Sequence, residues 1–375
     1  MSTSRREFLG RASATLAAAA AVPAAGAANT TSTASAKGPI WIDALSGIDG
    51  LPDAPSVPAD GLEALVAASM SLISATVAIN PGPPGTASFT YAEAVEEIGR
   101  WHGRFAQYPD RLVHMRRADD IVRAHREGKT AIMLNFQNGT HLQGDLRNVR
   151  FFHNLGVRQI QLTYNSLNDL GCGCTERTDA GLSYFGVDVV AAMNELGMLV
   201  DLSHCGPRTT LDAIEASKKP VAFTHTNCRA LRDHPRCKTD AEIRAVATKG
   251  GVIGMTAYGT YVSSKPPVTL DDFIRHVEHA VKIAGVEHVG IGSDAAVQFV
   301  TDYPKSEQEF LDQIRRPSNF RPVPDGKWND GIDALNGPRK FHAIHDGLQR
   351  RGFAAADIDK ILGGNFLRLY REVIG

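Results

Sequence analysis

Residues 197–225 read GMLVDLSHCGPRTTLDAIEASKKPVAFTH. Two short apolar runs, 198–203 and 220–224, flank an amphipathic helical stretch over 207–216. Neither run alternates with polar residues. Strands of that kind are buried on both faces, as in a parallel sheet. Each run leads into a histidine, His204 and His225, twenty-one residues apart. One strand–helix–strand unit fills that interval, so the two strands are expected to be neighbours.

The same alternation extends in both directions. Strands are predicted at 40–43, 71–79, 130–136 and 158–164 before this segment, and at 252–258 and 288–293 after it. Helices are predicted at 91–105, 187–196, 240–249 and 270–284, with Gly197 and Gly250 placed as helix stops. Alternating strands and helices imply an α/β fold with a parallel sheet. Eight strands favour a closed (β/α)8 TIM-type barrel. An open doubly wound sheet is the structural alternative, but its Gly-rich first turn is absent after 40–43. Residues 298–340 carry Pro304, Pro317, Pro322, Pro324 and Pro338 and read as a loop-rich insertion.

Composition narrows the function. The chain has 375 residues, 40 Lys+Arg against 41 Asp+Glu, and a formal charge of -1. That balance argues against nucleic-acid binding through a basic field. No stretch approaches the roughly 20 apolar residues of a membrane-spanning helix. Five cysteines are too few for a disulfide scaffold and their number is odd. Cys172 and Cys174 form a C-x-C, while Cys205 and Cys228 follow the two histidines closely; all read as buried inert thiols.

The first 27 residues have the order of a secretory signal. Arg5 and Arg6 sit in SRREFLG, an Ala-rich stretch follows, and Ala25-Gly26-Ala27 offers a cleavage site. The paired arginines point to the twin-arginine export machinery, which carries folded proteins and so permits cofactor loading before export. Residues 28–38 read as a disordered leader and 39–375 as one domain. The expected location is periplasmic or secreted, and a homodimer is left open.

In a barrel, the site lies where strands end. Imidazoles on adjacent strands, about 4.8 Å apart, can share one ion with bonds of about 2.0–2.1 Å. Asp294 finishes the last strand in GIGSD, placing a carboxylate at the same rim. The structural alternative for each histidine is a hydrogen-bonded core residue. His102, His114, His125, His276 and His279 read as surface residues. Downstream of His225, Arg229, Arg232, His234 and Arg236 occupy one loop. An arginine there reads either as a carboxylate clamp or as part of a solvated basic loop.

These segments resemble the membrane dipeptidase (renal dipeptidase) family of zinc metallopeptidases. The likeness runs from about residue 40 to the C terminus and rests on LGVRQIQLTYN (155–165), GMLVDLSH (197–204), FTHTNCRALRDHPR (223–236), HVGIGSD (288–294) and ILGGNFLR (361–368). The resemblance implies an amidohydrolase-type barrel with two zinc ions activating water to cleave a dipeptide. By position it makes His204 and His225 ligands of one zinc. It makes Asp294 the proton-handling carboxylate and Arg236 the group that binds the substrate carboxylate.

The chain departs from that pattern at three places. The family's H-x-D on the first strand, which supplies the other zinc, falls on Leu45 and Gly47. The bridging Glu falls on Gln137 in NFQNG, and a substrate-contacting His falls on Tyr164. At most one tightly held zinc is therefore expected. Gln137 through its amide oxygen, Asp294 or Cys205 would complete the coordination, and Asp43 and Glu176 are further nearby carboxylates. Tyr164 would donate a hydrogen bond to a developing oxyanion. The expected function is an exported metal-dependent hydrolase of dipeptides or related small amides. The alternatives are a non-catalytic periplasmic binder and a hydrolase of a non-peptide substrate.

Overall fold

Strand β4 (Thr130–Phe136) is buried at all of its positions, as a strand packed on both faces must be. In the computed structural model, which describes residues 38–47, 59–78, 90–298 and 331–375, β4 lies within one parallel sheet. The other strands are β1 (Ile42–Gly47), β2 (Leu72–Ala78), β3 (Leu112–His114), β5 (Val157–Gln161), β6 (Leu199–Asp201), β7 (Ala222–Thr226), β8 (Val252–Met255), β9 (Val289–Ile291) and β10 (Ala295–Ala296). Their order is β10-β1-β2-β4-β5-β6-β7-β8-β9, with β3 added against the start of β4. The two ends of that order, β9 and β10, are consecutive in the chain. The sheet therefore closes on itself, and β9 with β10 makes the eighth stave of a (β/α)8 barrel.

Alternation along each strand sorts the side chains into two cores. Ile73, Ile132, Val200, Phe223 and Ile253 face the surrounding helices. Their predecessors, including Leu72, Ala131, Leu199, Ala222 and Val252, meet inside the barrel with Phe366, Leu369 and Tyr370 of the C-terminal helix Asn365–Val373. That helix closes the end of the barrel where the strands begin. Two glycines allow the close fit: a Cβ on Gly363 would lie 2.0 Å from the Ile40 carbonyl oxygen, and one on Gly290 would lie 2.5 Å from the Phe366 ring. Asn365 secures the approach by donating to the carbonyls of Val286 and Val289.

Above this apolar plug, the barrel interior is polar. Asn135 donates to Ser74, Gln159 to Asp201, and Thr224 to Asp201. A hydrogen-bonded belt thus separates the plug from the mouth.

Strand limits differ from the sequence expectation where pairing partners set them. β1 begins two residues later than expected and runs through Leu45, Ser46 and Gly47, because Ser46 and Gly47 pair with Ala295 and Ala296. The three-residue β3 carries no periodic pattern and was not expected. His276 is not a surface residue. It is 1% exposed, its Nδ1 accepts from the Cys228 amide and its Nε2 donates to Val262 O. His102, His114, His125 and His279 are half-buried rather than exposed, because each imidazole packs inward on a hydrogen-bond partner. The expected signal segment, the leader up to residue 37 and most of the Pro-rich insertion lie outside the described residues.

Candidate active site

β6 ends at Asp201, and a tight turn carries the chain to His204, while His225 lies within β7. Their rings converge at the mouth, with His204 Nε2 3.0 Å from His225 Nε2. The partners of the opposite nitrogens fix the tautomers. His204 Nδ1 stands 2.7 Å from Asn165 Oδ1, an acceptor, so Nδ1 carries the proton. Thr224 gives its one hydroxyl proton to Asp201 Oδ2 at 2.6 Å, so its oxygen accepts from His225 Nδ1 at 2.9 Å. Both Nε2 atoms are then bare lone pairs aimed at each other.

Neither imidazole is charged. Burial, with the Arg236 guanidinium nearby, holds both pKa values well below the usual histidine value. Two facing lone pairs repel unless a cation lies between them. Two nitrogens on one tetrahedral ion stand about 3.3 Å apart for bonds of about 2.0–2.1 Å. The donor chemistry and the spacing fit one divalent ion.

Asp201 anchors this arrangement from inside the barrel. It is fully buried and accepts from the amides and hydroxyls of both Ser203 and Thr224. Burial raises its pKa against the pull of those bonds. Tyr164 stacks on the His204 ring, with centroids 4.2 Å apart and planes 20° apart. Its ring thus braces the imidazole, a packing role that the sequence did not suggest.

Arg236 is buried at 2% exposure and lies behind the pair. Its Nη1 donates to Ser203 O at 2.8 Å and its Nη2 to His225 O at 2.6 Å, while its Nε has no partner. Arg229 and Arg232 do not reach the mouth. Arg229 pairs with Asp233 at the surface, and Arg232 donates to Thr260 O.

Asp294 lies between β9 and β10 in the left-handed region, with φ 55°, and its amide donates to Leu45 O at 2.9 Å. Burial pushes its carboxyl up to about 7; Arg236 and Lys340 pull it down, while Asp43 and Asp201 push it further up. A carboxyl poised there can hold or release a proton near neutrality.

The remaining candidates are engaged elsewhere. Gln137 donates its amide nitrogen to Thr76 Oγ1 at 2.9 Å, and no hydrogen bond joins it to either imidazole. The Cys205 thiol takes a hydrogen bond from Thr163, and burial raises its pKa to about 11, which keeps it protonated. Glu176 accepts from the Leu167 amide in its own loop. Asp43 binds Ser293 and lies near Lys340. All five cysteines are buried free thiols. Among the described residues, no three His, Cys, Asp or Glu side chains are grouped to hold a metal. Leu45 and Gly47 offer no ligating side-chain atom at the β1 positions where the resemblance would place the ligands of a second ion.

Sequence reasoning did not single out Asn165, Thr224, Asp201 or Lys340. Asp201 had a readable signal, since a charge inside an apolar run, MLVDL, has to be paired or hydrogen-bonded.

Residues 67–311 match the model of the membrane dipeptidase family, peptidase family M19. The chain is 36% identical over 210 residues to an uncharacterised dipeptidase of Schizosaccharomyces pombe, covering 54% of this chain and 50% of that protein. It is 30% identical over 271 residues to the dipeptidase tcpJ of Claviceps purpurea, covering 71% and 56% respectively. The chain thus spans about half the length of the curated relatives it matches. The crystal structure of an amidohydrolase from Pseudomonas aeruginosa superposes with a TM-score of 0.77 at 29% identity, over 90% of this chain and 97% of that one. With its barrel, its strand-borne imidazole pair and this match, the chain belongs to the membrane dipeptidase family, peptidase family M19.

Proposed function

We propose that this chain is an exported hydrolase of dipeptides or related small amides, with one zinc-type ion held by His204 and His225. The observation that carries the reading is the pair of bare Nε2 atoms, 3.0 Å apart, whose other nitrogens are both committed to acceptors. An ion held there would supply Lewis acidity, polarising a carbonyl and acidifying a water.

The chain's own groups divide the remaining work. Asp294 takes a proton from the attacking water and returns it to the leaving amine; its raised pKa suits both directions near neutral pH. Arg236 holds the substrate carboxylate through the guanidinium donors left over from its two backbone bonds, the partnerless Nε among them. The Tyr164 hydroxyl donates to the developing oxyanion while its ring stays stacked on His204. Gln137, whose amide nitrogen is bonded to Thr76 Oγ1, would complete the coordination only by turning its amide oxygen to the ion. The Arg5–Arg6 pair routes the folded chain through the twin-arginine machinery to a periplasmic or secreted location.

Elemental analysis of the full-length protein matured through export tests this reading. About one metal per chain is expected, with loss in both His204→Ala and His225→Ala, together with cleavage across a broad dipeptide panel. Retention of metal in both variants moves the site elsewhere. A non-catalytic binder is the second reading, favoured by the lack, among the described residues, of a group of three His, Cys, Asp or Glu side chains at the imidazoles. Metal below about a tenth of an equivalent per chain, with no cleavage, selects it.

A further inference from the structure

The family's second metal requires ligands from β1, and β1 supplies none. Leu45 and Gly47 have no ligating atoms in their side chains, and Ser46 gives its hydroxyl proton to Ala295 O at 2.8 Å. The one carboxylate on β1, Asp43, has both oxygens engaged. Oδ1 accepts from the Ser293 amide at 2.6 Å and Oδ2 from the Ser293 hydroxyl at 2.5 Å.

A cation is nevertheless present at this seam. Lys340 is 3% exposed, and its Nζ lies 3.1 Å from Ser293 Oγ, 2.7 Å from Ala295 O and 2.8 Å from Ala296 O. Those three acceptors use all three donors of an ammonium. Asp43 Oδ2 stands 3.8 Å away as its counter-charge. Ala295 and Ala296 are the cross-strand partners of Ser46 and Gly47, so the ammonium lies one strand from the positions where the missing ligands would stand. A buried charge persists only with such a set of partners.

We propose that Lys340 takes over the cationic role on the β1 side of the barrel mouth, so that this chain is built for no more than one divalent ion. The ammonium is bonded to the seam and already balanced by Asp43. A divalent ion beside it meets like charge and finds the one β1 carboxylate, Asp43, already accepting at both oxygens. The proposal deepens the metal-dependent reading, which fixes where the one ion binds.

Metal stoichiometry of the full chain tests it, without any activity readout. Chelator-stripped protein is reloaded with excess Zn²⁺, desalted and analysed for metal and protein. Wild type is expected to retain no more than one ion per chain, and two ions would overturn the proposal. The triple variant Leu45→His/Gly47→Asp/Gln137→Glu is expected to stay at one ion while Lys340 is present. Adding Lys340→Met is expected to raise it to two, with Lys340→Gln as the substitute if the Met variant fails to fold. Two ions in the triple variant with Lys340 intact, or one ion after Lys340 is removed, would also overturn it. Zero ions in wild type defeats the hydrolase reading instead, and the engineered variants still decide the role of Lys340.

Discussion

Asp201 and His225 are joined through one hydroxyl: Thr224 Oγ1 stands 2.6 Å from Asp201 Oδ2 and 2.9 Å from His225 Nδ1. The buried carboxylate never touches the ring, yet it takes the hydroxyl proton and so compels the imidazole to donate from Nδ1. Such supporting bonds orient a ligand and raise its basicity. Thr224→Val keeps the shape of the side chain and removes the link. Metal affinity is expected to fall by about 10–100-fold, as measured by competition with a chromophoric chelator. Thr224→Ser should stay close to wild type.

The Asp294 carboxyl, with its pKa raised to about 7, makes both rate and stability depend on pH. As a base it must be ionised, so the rate should climb as pH rises through about 7 and then level off. Asp294→Asn should lower kcat by about 10²–10⁴-fold. For stability, the folded pKa lies above the unfolded value of about 3.9, so the folded state binds this proton more tightly. The resulting stabilisation is complete below about pH 4 and is lost as pH rises toward 7. Metal-free Asp294→Asn, always neutral, escapes that loss. At pH 8 it should exceed wild type by a few kcal/mol, on the order of 1.4 kcal/mol per pKa unit, in urea denaturation.

Tyr164 combines two roles that one substitution separates. Tyr164→Phe preserves the ring stacked on His204 and removes the hydroxyl. Metal affinity is expected to stay within about twofold, while kcat falls by about 10²–10³, the usual cost of losing an oxyanion donor. Tyr164→Ala should loosen the metal as well, because the imidazole loses its brace. Equal loss of metal in both variants would show that the hydroxyl, not the ring, supports His204.

Gly363 and Gly364 are adjacent but have unequal room. A Cβ on Gly363 would lie 2.0 Å from Ile40 O, whereas the nearest atom to one on Gly364 is Asp359 O at 3.4 Å. Gly363→Ala must push the closing helix away from the barrel and should cost about 1–3 kcal/mol or more. Gly364→Ala should be neutral or stabilising by up to about 1 kcal/mol, the helix-propensity difference between the two residues. Parallel urea melts of the two variants check the contrast.

The sequence by itself determined the barrel, the order of its helices and the placing of His204 and His225 on neighbouring strands, where their rings converge. β4 and the helices Pro207–Ala216 and Leu270–Ala284 stand at the limits expected for them, because apolar periodicity and helix stops act within a few residues. Leu45, Gly47 and Gln137 likewise mark in single letters where the chain departs from the binuclear pattern that the resemblance implies. The tertiary structure alone decided how β1 meets β10, which nitrogen of each imidazole carries its proton, and that Lys340 rests beside Asp43. Those features depend on partners far apart in the chain, as when Asp43 binds Ser293 across 250 residues. No local pattern encodes such a meeting; it exists only once the sheet has curled and its last stave has closed on its first.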